Sequence, residues 1–462
     1  MPENPDQNSY PKVLIIAYWF PPAGGIAVQR ALSLVKYLPA CGFEVHVLAP
    51  KNPPAPVLDP ALLRHIPASV HVHRAVTPMP PSHWRARIWK LVSASHSTPQ
   101  PAATIEPAAE ASGANRRSWK SRVSDAVRGM LCPDPEVVWF PFALRKASRI
   151  IRRHGIQAVI VTAPPFSLFL LGNALKRRFP NIRYISDFRD DWLRFFLTTF
   201  DFHSSDAIRQ RAARIELEAV TRSDAVVLVT PRLLTETRER YPGIDRHKFS
   251  CIPNGYDPEI FSNFQNRRHD GPQVVVTYVG TVYKTTSPQP YFAALAGLPE
   301  EIRGRIETRF VGRITDEEQA LLRNCNAAVK VLGFLPQSEA VRYMEETDFL
   351  LVTMADPTAA TGKVYEYLAT GKPILAISPK GGEIDLMLRE TGAGWCASPD
   401  DLAGIAEMLR TASSGDFQLQ RNEEAIRRYE RPQQAYEFGK LIHSCLASDG
   451  LRDRSHHASY VS

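Results

Sequence analysis

The sequence predicts an α/β fold with doubly wound parallel sheets, and three observations carry that expectation. Short apolar runs without polar alternation, such as Val13–Ala17, alternate with segments of helical period. Glycines follow several of these runs, at the strand ends where open parallel sheets bind ligands. The chain has 462 residues and 44% hydrophobic content, enough for about two to three domains with true cores.

Taken in order, residues 1–11 are a polar leader and Val13–Ala17 is a strand buried on both faces. Tyr18–Gly25 is a glycine loop. Val28–Ala40 is helical, with apolar residues at 28, 31, 32, 35 and 38. Glu44–Ala49 and Val70–Arg74 are the next strands. Residues of about 76–135 break the alternation. Ser93–Ala114, rich in Ser, Ala and Pro, has the composition of a disordered insert. Two basic segments flank it, one placing Trp84, Ile88 and Leu91 on one face, the other Trp119, Val123 and Val127. Such faces suit peripheral contact with an anionic membrane, and they equally suit two surface helices packed on the domain.

The alternation resumes with a helix over Pro141–His154, a strand over Ala158–Thr162, a helix over Leu168–Arg178 and a strand over Arg183–Ser186 that delivers Asp187. A helix over about 204–222 leads to a strand over Ala225–Val229. A hinge region covers about 245–272. The second domain takes 273–430, with strands over Val274–Val279, Thr308–Val311 and Val329–Leu332. These end in Gly280, Gly312-Arg313 and Gly333-Phe334-Leu335. The helix beginning at Thr361, stopping at Gly371 and running into Pro373–Ile377, offers free N–H groups and a partial positive charge. Thr361 is its expected N-cap. Lys363 lies in the first turn, and Glu366 follows about one turn on, where its carboxylate could accept two ribose hydroxyls. The same pattern fits an ordinary amphipathic helix between two strands.

Net charge is +8, which favours anionic ligands. No nucleic-acid recognition module is present, so nucleic acid is not an expected partner. The six cysteines are widely spaced, as in a reducing cytoplasm. No signal peptide is read, and the longest apolar run, Phe166–Gly172, is far too short to span a bilayer. Any membrane contact is therefore peripheral, at the inner face.

Four stretches together resemble the GT-B-fold glycosyltransferases of the large retaining family 4 type, over nearly the whole chain. Lys12–Gly25 (KVLIIAYWFPPAGG) resembles the family's first strand and glycine loop, and Ile252–Phe261 (IPNGYDPEIF) its hinge signature. Asp187–Trp192 (DFRDDW) resembles a subgroup of bacterial polysaccharide-assembly transferases. Thr361–Pro373 resembles the second half of the family's paired-glutamate motif. The family usually places a first glutamate eight residues before the second, where this chain has Thr358. It often has an arginine after the first glycine of the second domain, where this chain has Thr281, with Lys284 nearby.

The resemblance implies two Rossmann-like domains facing a cleft, 1–262 on the acceptor side and 273–430 on the nucleotide-sugar side. A crossover helix over 431–447 returns to the first domain, and 448–462 form a tail. The implied activity moves a hexose or N-acetylhexosamine-type sugar from a nucleoside diphosphate to a hydroxyl of a polysaccharide precursor, with a glycan or lipid-linked acceptor and retention of configuration. Asp187 and Asp190 are expected on the acceptor side. Lys284 and Lys363 would neutralise the departing diphosphate. Gly24, Gly25, Asn254, Gly280, Thr281, Arg313, Gly333, Phe334, Leu335, Thr361 and Glu366 would contact substrate.

Several of these residues carry a second reading. Gly24-Gly25 could be a turn set by Pro21-Pro22, Asn254-Gly255 a turn, Arg313 an ion-pair partner of Asp316 or Glu317, and Phe334 core. Asp187, Asp190 and Asp191 could bind a divalent metal, position an acceptor, or cap the next helix. The class generally does not need a bound metal, so neither metal nor cofactor is expected. His71 and His73 are read as alternate residues of a strand without ligand spacing. An epimerase of the same fold and a non-catalytic nucleotide-sugar-binding scaffold are the competing functions.

Overall fold

The computed structural model describes residues 10–53, 55, 57–79, 132–196, 206–267, 269, 271–415 and 418–457. The basic segments around Trp84 and Trp119 lie outside these residues. The chain divides into two compact units, one of 1–226 with 441–462 and the other of 227–440. The division falls within a strand, Ala225–Leu228, ahead of the boundary near 262 expected from sequence.

The first sheet has seven strands: β1 (Lys12–Ala17), β2 (Glu44–Pro50), β3 (His71–Ala75), β4 (Ala158–Ala163), β5 (Arg183–Phe188), β6 (Ala225–Leu228) and β7 (Phe249–Cys251), in the order β3-β2-β1-β4-β5-β6-β7. β1 pairs in parallel with β2 and β4, so helices must cross over its faces. That is why Val13 to Ala17 are buried without alternation. Helices α1 (Ile26–Tyr37), α2 (Phe140–His154), α3 (Ser167–Arg178) and α4 (Asp206–Arg222) belong to this unit.

From Val227 on, the second unit takes in the end of β6, helix α5 (Pro231–Arg240), β7 and a second sheet of six strands. They are β8 (Val274–Val279), β9 (Ile306–Val311), β10 (Ala328–Gly333), β11 (Phe349–Thr353), β12 (Ile374–Ile377) and β13 (Gly394–Ala397), in the order β10-β9-β8-β11-β12-β13. Helices α6 (Gln289–Ala296), α7 (Asp316–Asn324), α8 (Gln337–Glu345), α9 (Gly362–Thr370), α10 (Glu383–Thr391) and α11 (Leu402–Ser414) connect them. β11 shows how the core forms on both faces. Phe349 and Leu351 pack into the cluster of Tyr278, Phe292 and Phe310, while Leu350 and Val352 pack into that of Val364, Leu368 and Ile384.

Helix α12 runs Arg431–His457, past the Ala447 end expected from sequence. No proline interrupts 448–457, and Gly450 alone costs a helix only about 1 kcal/mol. Its first ten residues belong to the second unit and the rest to the first. Among the described residues no helix is long and apolar enough to cross a membrane.

Candidate functional site

Three glycines lie side by side at the C-terminal edge of the second sheet. Gly280 follows β8, Gly312 follows β9 and Gly333 ends β10. Gly280 N–H donates to Val311 O at 2.7 Å, and Gly312 N–H to Gly333 O at 2.7 Å. Gly280 and Gly312 have φ of 134° and 142°, which L side chains rarely adopt. A Cβ at 312 would also stand 2.1 Å from Gly280 O. The result is an edge of bare backbone.

Helix α9 brings its first turn to this edge. A Cβ on Gly280 would lie 2.8 Å from Lys363 Cε and 3.1 Å from Nζ, so the lysine head sits directly over the glycine. Lys363 Nζ donates to Tyr278 Oη and lies 4.0 Å from that ring's centroid. Tyr278 Oη donates on to Thr281 O at 3.0 Å. Burial pushes Lys363 down to about 7, only partly opposed by Glu366. Tyr367, one turn after Lys363 on the same face, accepts from Val279 N–H at 2.8 Å and anchors α9 to the end of β8. Thr361 precedes α9 in the N-cap position, but its side chain makes no capping bond. Its Oγ1 is buried without a hydrogen-bond partner among the described residues. A polar atom left so beside a helix start suits an incoming ligand oxygen.

Glu366 takes no hydrogen bond from any described residue. Burial raises its pKa, against the pull of Arg431 and Lys363. Arg431 is itself buried, donates from Nε to Gly255 O at 3.2 Å, and so connects the Asn254-Gly255 segment to this acid. Gly255 packs too closely for a side chain, since a Cβ would meet Tyr429 O at 2.0 Å. Arg313 is exposed, with its guanidinium 5.7 Å from the centroid of the Phe334 ring. Phe334 is 55% exposed, so it is not core. Leu335 is half-buried, whereas Thr281 and Lys284 are exposed, Lys284 in a tight turn over Lys284–Thr286.

In the first unit, Gly25 stands before α1 with φ 87° and no side-chain cap, its Cα open to solvent. Gly24 is held by Val57 O at 3.0 Å and packs on Asp59. Asp187 is fully buried, and Arg30 grips both its oxygens, Nε to Oδ2 at 2.9 Å and Nη2 to Oδ1 at 2.7 Å. A carboxylate so enclosed positions its strand end and does not present itself to an acceptor. Arg189 feels the charges of Asp190 and Asp187, but its hydrogen bonds go elsewhere. Its guanidinium donates to the carbonyls of Ala163, Pro164 and Ala27, tying the β4 and β5 ends to α1. Asp191 accepts from Arg194 N–H at 3.2 Å and so caps the turn Trp192–Phe196. Asp190 is half-buried and stays the acid of this loop nearest to solvent access.

Two family models cover most of this framework. Residues 98–260 match Glycosyltransferase Family 4, and residues 259–430 match Glycosyl transferases group 1. The chain belongs to the GT-B glycosyltransferases. Among glycosyltransferase relatives, the probable glycosyltransferase WbjE of Pseudomonas aeruginosa is 34% identical over 96 residues, 20% of this chain and 24% of that protein. The aligned stretch thus spans about a quarter of the relative's length. The lipopolysaccharide outer core galactosyltransferase WaaB superposes with a TM-score of 0.57 at 14% identity, over 94% of this chain and 99% of that one. Anabaena HepE, solved with UDP and glucose, gives 0.53 at 13% identity, over 96% and 100%. These structures share the glycosyltransferase fold with this chain.

Four residues of this glycosyltransferase escaped the sequence reading: Arg30, Tyr278, Tyr367 and Arg431. Arg30 leaves a signal, a charge between Val28, Ala31 and Leu32 on the face that α1 buries. Tyr367 repeats the Lys363 position after one turn. Tyr278 and Arg431 find their partners only through tertiary packing.

Proposed function

We propose that the second unit grips a nucleoside-diphosphate sugar and that the chain transfers the sugar to a hydroxyl of a polysaccharide precursor. The observation that carries this reading is the half-buried Lys363 ammonium lying over Gly280, with Glu366 one turn behind. The bare glycine edge admits a diphosphate to backbone distance, and Lys363 with the start of α9 supplies positive charge. Glu366, free of hydrogen-bonding partners among the described residues, accepts the ribose hydroxyls. Lys284 and Arg313 lie on the same strand edge as further cations for the phosphates. Phe334 and Leu335 offer a surface for the base, and Asn254 a contact beside it.

The reaction follows from where charge develops. The acceptor hydroxyl attacks the anomeric carbon on the face from which the diphosphate leaves, so configuration is retained. The bond from that carbon to the phosphate oxygen breaks, and the acceptor proton passes to the departing phosphate. Lys363 stabilises the growing negative charge without moving. Gly25 and Asp190 serve the acceptor side, where Asp187 sets the loop through Arg30. HepE binds UDP and glucose in a related fold, and WaaB is a lipopolysaccharide galactosyltransferase. Both fit a nucleotide-sugar donor and a lipid-linked glycan acceptor.

The test is slow donor hydrolysis across a panel of nucleotide sugars chosen by thermal shift. Release of nucleoside diphosphate should be abolished by Lys363→Ala and by Glu366→Ala. Turnover that survives both substitutions, or a panel without any binding ligand, refutes the assignment.

A further inference from the structure

The first unit gathers four histidines and an acid that the sequence scatters over more than a hundred positions. β2 carries Glu44 and His46, β3 carries His71 and His73, and α2 ends at His154. The parallel register sets His46 beside His71 and Leu48 beside His73. Residues two apart share a sheet face, so all these imidazoles point to one side, where His154 meets them. Ring centroids of His46 and His154 are 4.6 Å apart, and those of His46 and His73 are 5.4 Å apart and nearly parallel.

We propose that His46, His73 and His154 form a binding site for a first-row transition-metal dication, zinc by preference. Their ring nitrogens lie within 4.8 Å of one another, and His46 Nδ1 is 3.1 Å from His73 Nε2. Tetrahedral zinc with nitrogen bonds of about 2.0–2.1 Å separates its ligand atoms by roughly 3.3 Å. Small side-chain rotations therefore close the site. His46 Nε2, the nitrogen facing away from His73, lies 3.0 Å from Glu44 Oε1. A carboxylate behind a ligating histidine fixes its tautomer and raises its basicity. Lys12 in turn holds Glu44 Oε2 at 3.2 Å. An all-imidazole set selects zinc, copper or nickel over magnesium and calcium.

The cluster lies toward the N-terminal ends of β2 and β3, at the opposite edge of the sheet from Asp187 and Gly25. Its metal is therefore structural. It staples β3, the edge strand, to β2 and to the end of α2. An edge strand is held from one side only, so a cross-link gives most there.

The experiment uses the full chain, stripped with chelator, in a His456→Asn/His457→Asn background that removes the C-terminal histidine pair. Zinc and cobalt are titrated in. The expected result is one equivalent bound, a tetrahedral cobalt absorption band and a raised melting temperature. His73→Asn and His154→Asn each abolish all three, Glu44→Gln weakens binding about 10- to 100-fold, and His71→Asn leaves it intact. Circular dichroism of the metal-free variants checks that they fold. The proposal is overturned by the absence of saturable binding, by binding that survives both His73→Asn and His154→Asn, or by binding lost with His71→Asn.

Discussion

Donor affinity should fall steeply with pH because Lys363 must be charged to meet a diphosphate. In the free protein, burial pushes this lysine from 10.5 down to about 7. A bound diphosphate places negative charge beside Nζ and restores its proton affinity. Below about pH 7 the site is already protonated and affinity is flat. Above it, each binding event takes up a proton, and the dissociation constant rises about tenfold per pH unit. Between about pH 6 and pH 9 the loss is roughly 100-fold, or about 2.7 kcal/mol. Stability of the free protein should move the other way. The unfolded chain binds the extra proton between about 7 and 10.5, so stability rises through that window. The assay is calorimetric titration with a nucleotide sugar, whose diphosphate diester does not itself titrate there. Repeating it at pH 8 in buffers of different ionisation heat should reveal about 0.9 proton taken up per ligand. Lys363→Gln should bind weakly with no slope. A wild-type affinity flat from pH 6 to pH 9, or a slope kept by Lys363→Gln, refutes the reasoning.

Glu366→Gln should weaken donor binding by about 1.5–3 kcal/mol, as for hydrogen bonds to a charged group, while melting temperature holds or rises because a carboxylate strained by burial is removed. Unchanged donor affinity would exclude the ribose role. Gly312→Ala forces a side chain against Gly280 O in a backbone region glycine alone tolerates, and should cost at least about 3 kcal/mol in chemical denaturation. Arg30→Met strands the buried Asp187 carboxylate and should cost about 3–5 kcal/mol, with Arg30→Met/Asp187→Asn recovering part of it. A double variant no more stable than Arg30→Met would show that the pair acts through packing alone.

The fold was legible where burial on both faces leaves a continuous apolar run. β1, β4 and β8 announce themselves that way, and the helices between them follow the 3.6 period. The glycine edge was legible too, because glycines at 280, 312 and 333 close three successive strands. The state of the acids at β5 was not. Asp187, Asp190 and Asp191 look alike in sequence, yet one is sealed by Arg30, one caps a turn and one is half-buried. Only the approach of α1, whose Arg30 is 157 positions away, separates them. The histidine cluster escaped for the same reason. Its ligands come from two strands and a helix end, and no spacing rule joins His46 to His154.

Thr358 marks where the resemblance and the structure part. In a related enzyme that position would hold a glutamate, but here the residue is spent on its own turn. Its N–H and its hydroxyl both donate to Asp356 Oδ1, at 2.8 Å and 2.7 Å, and only 4% of the residue is exposed. A carboxylate at 358 would be buried beside the one at 356, and like charges at such range raise each other's pKa instead of serving a ligand. The carboxylate this loop offers is that of Asp356, whose other oxygen takes no hydrogen bond among the described residues. Its negative charge sits two residues closer to the end of β11 than position 358.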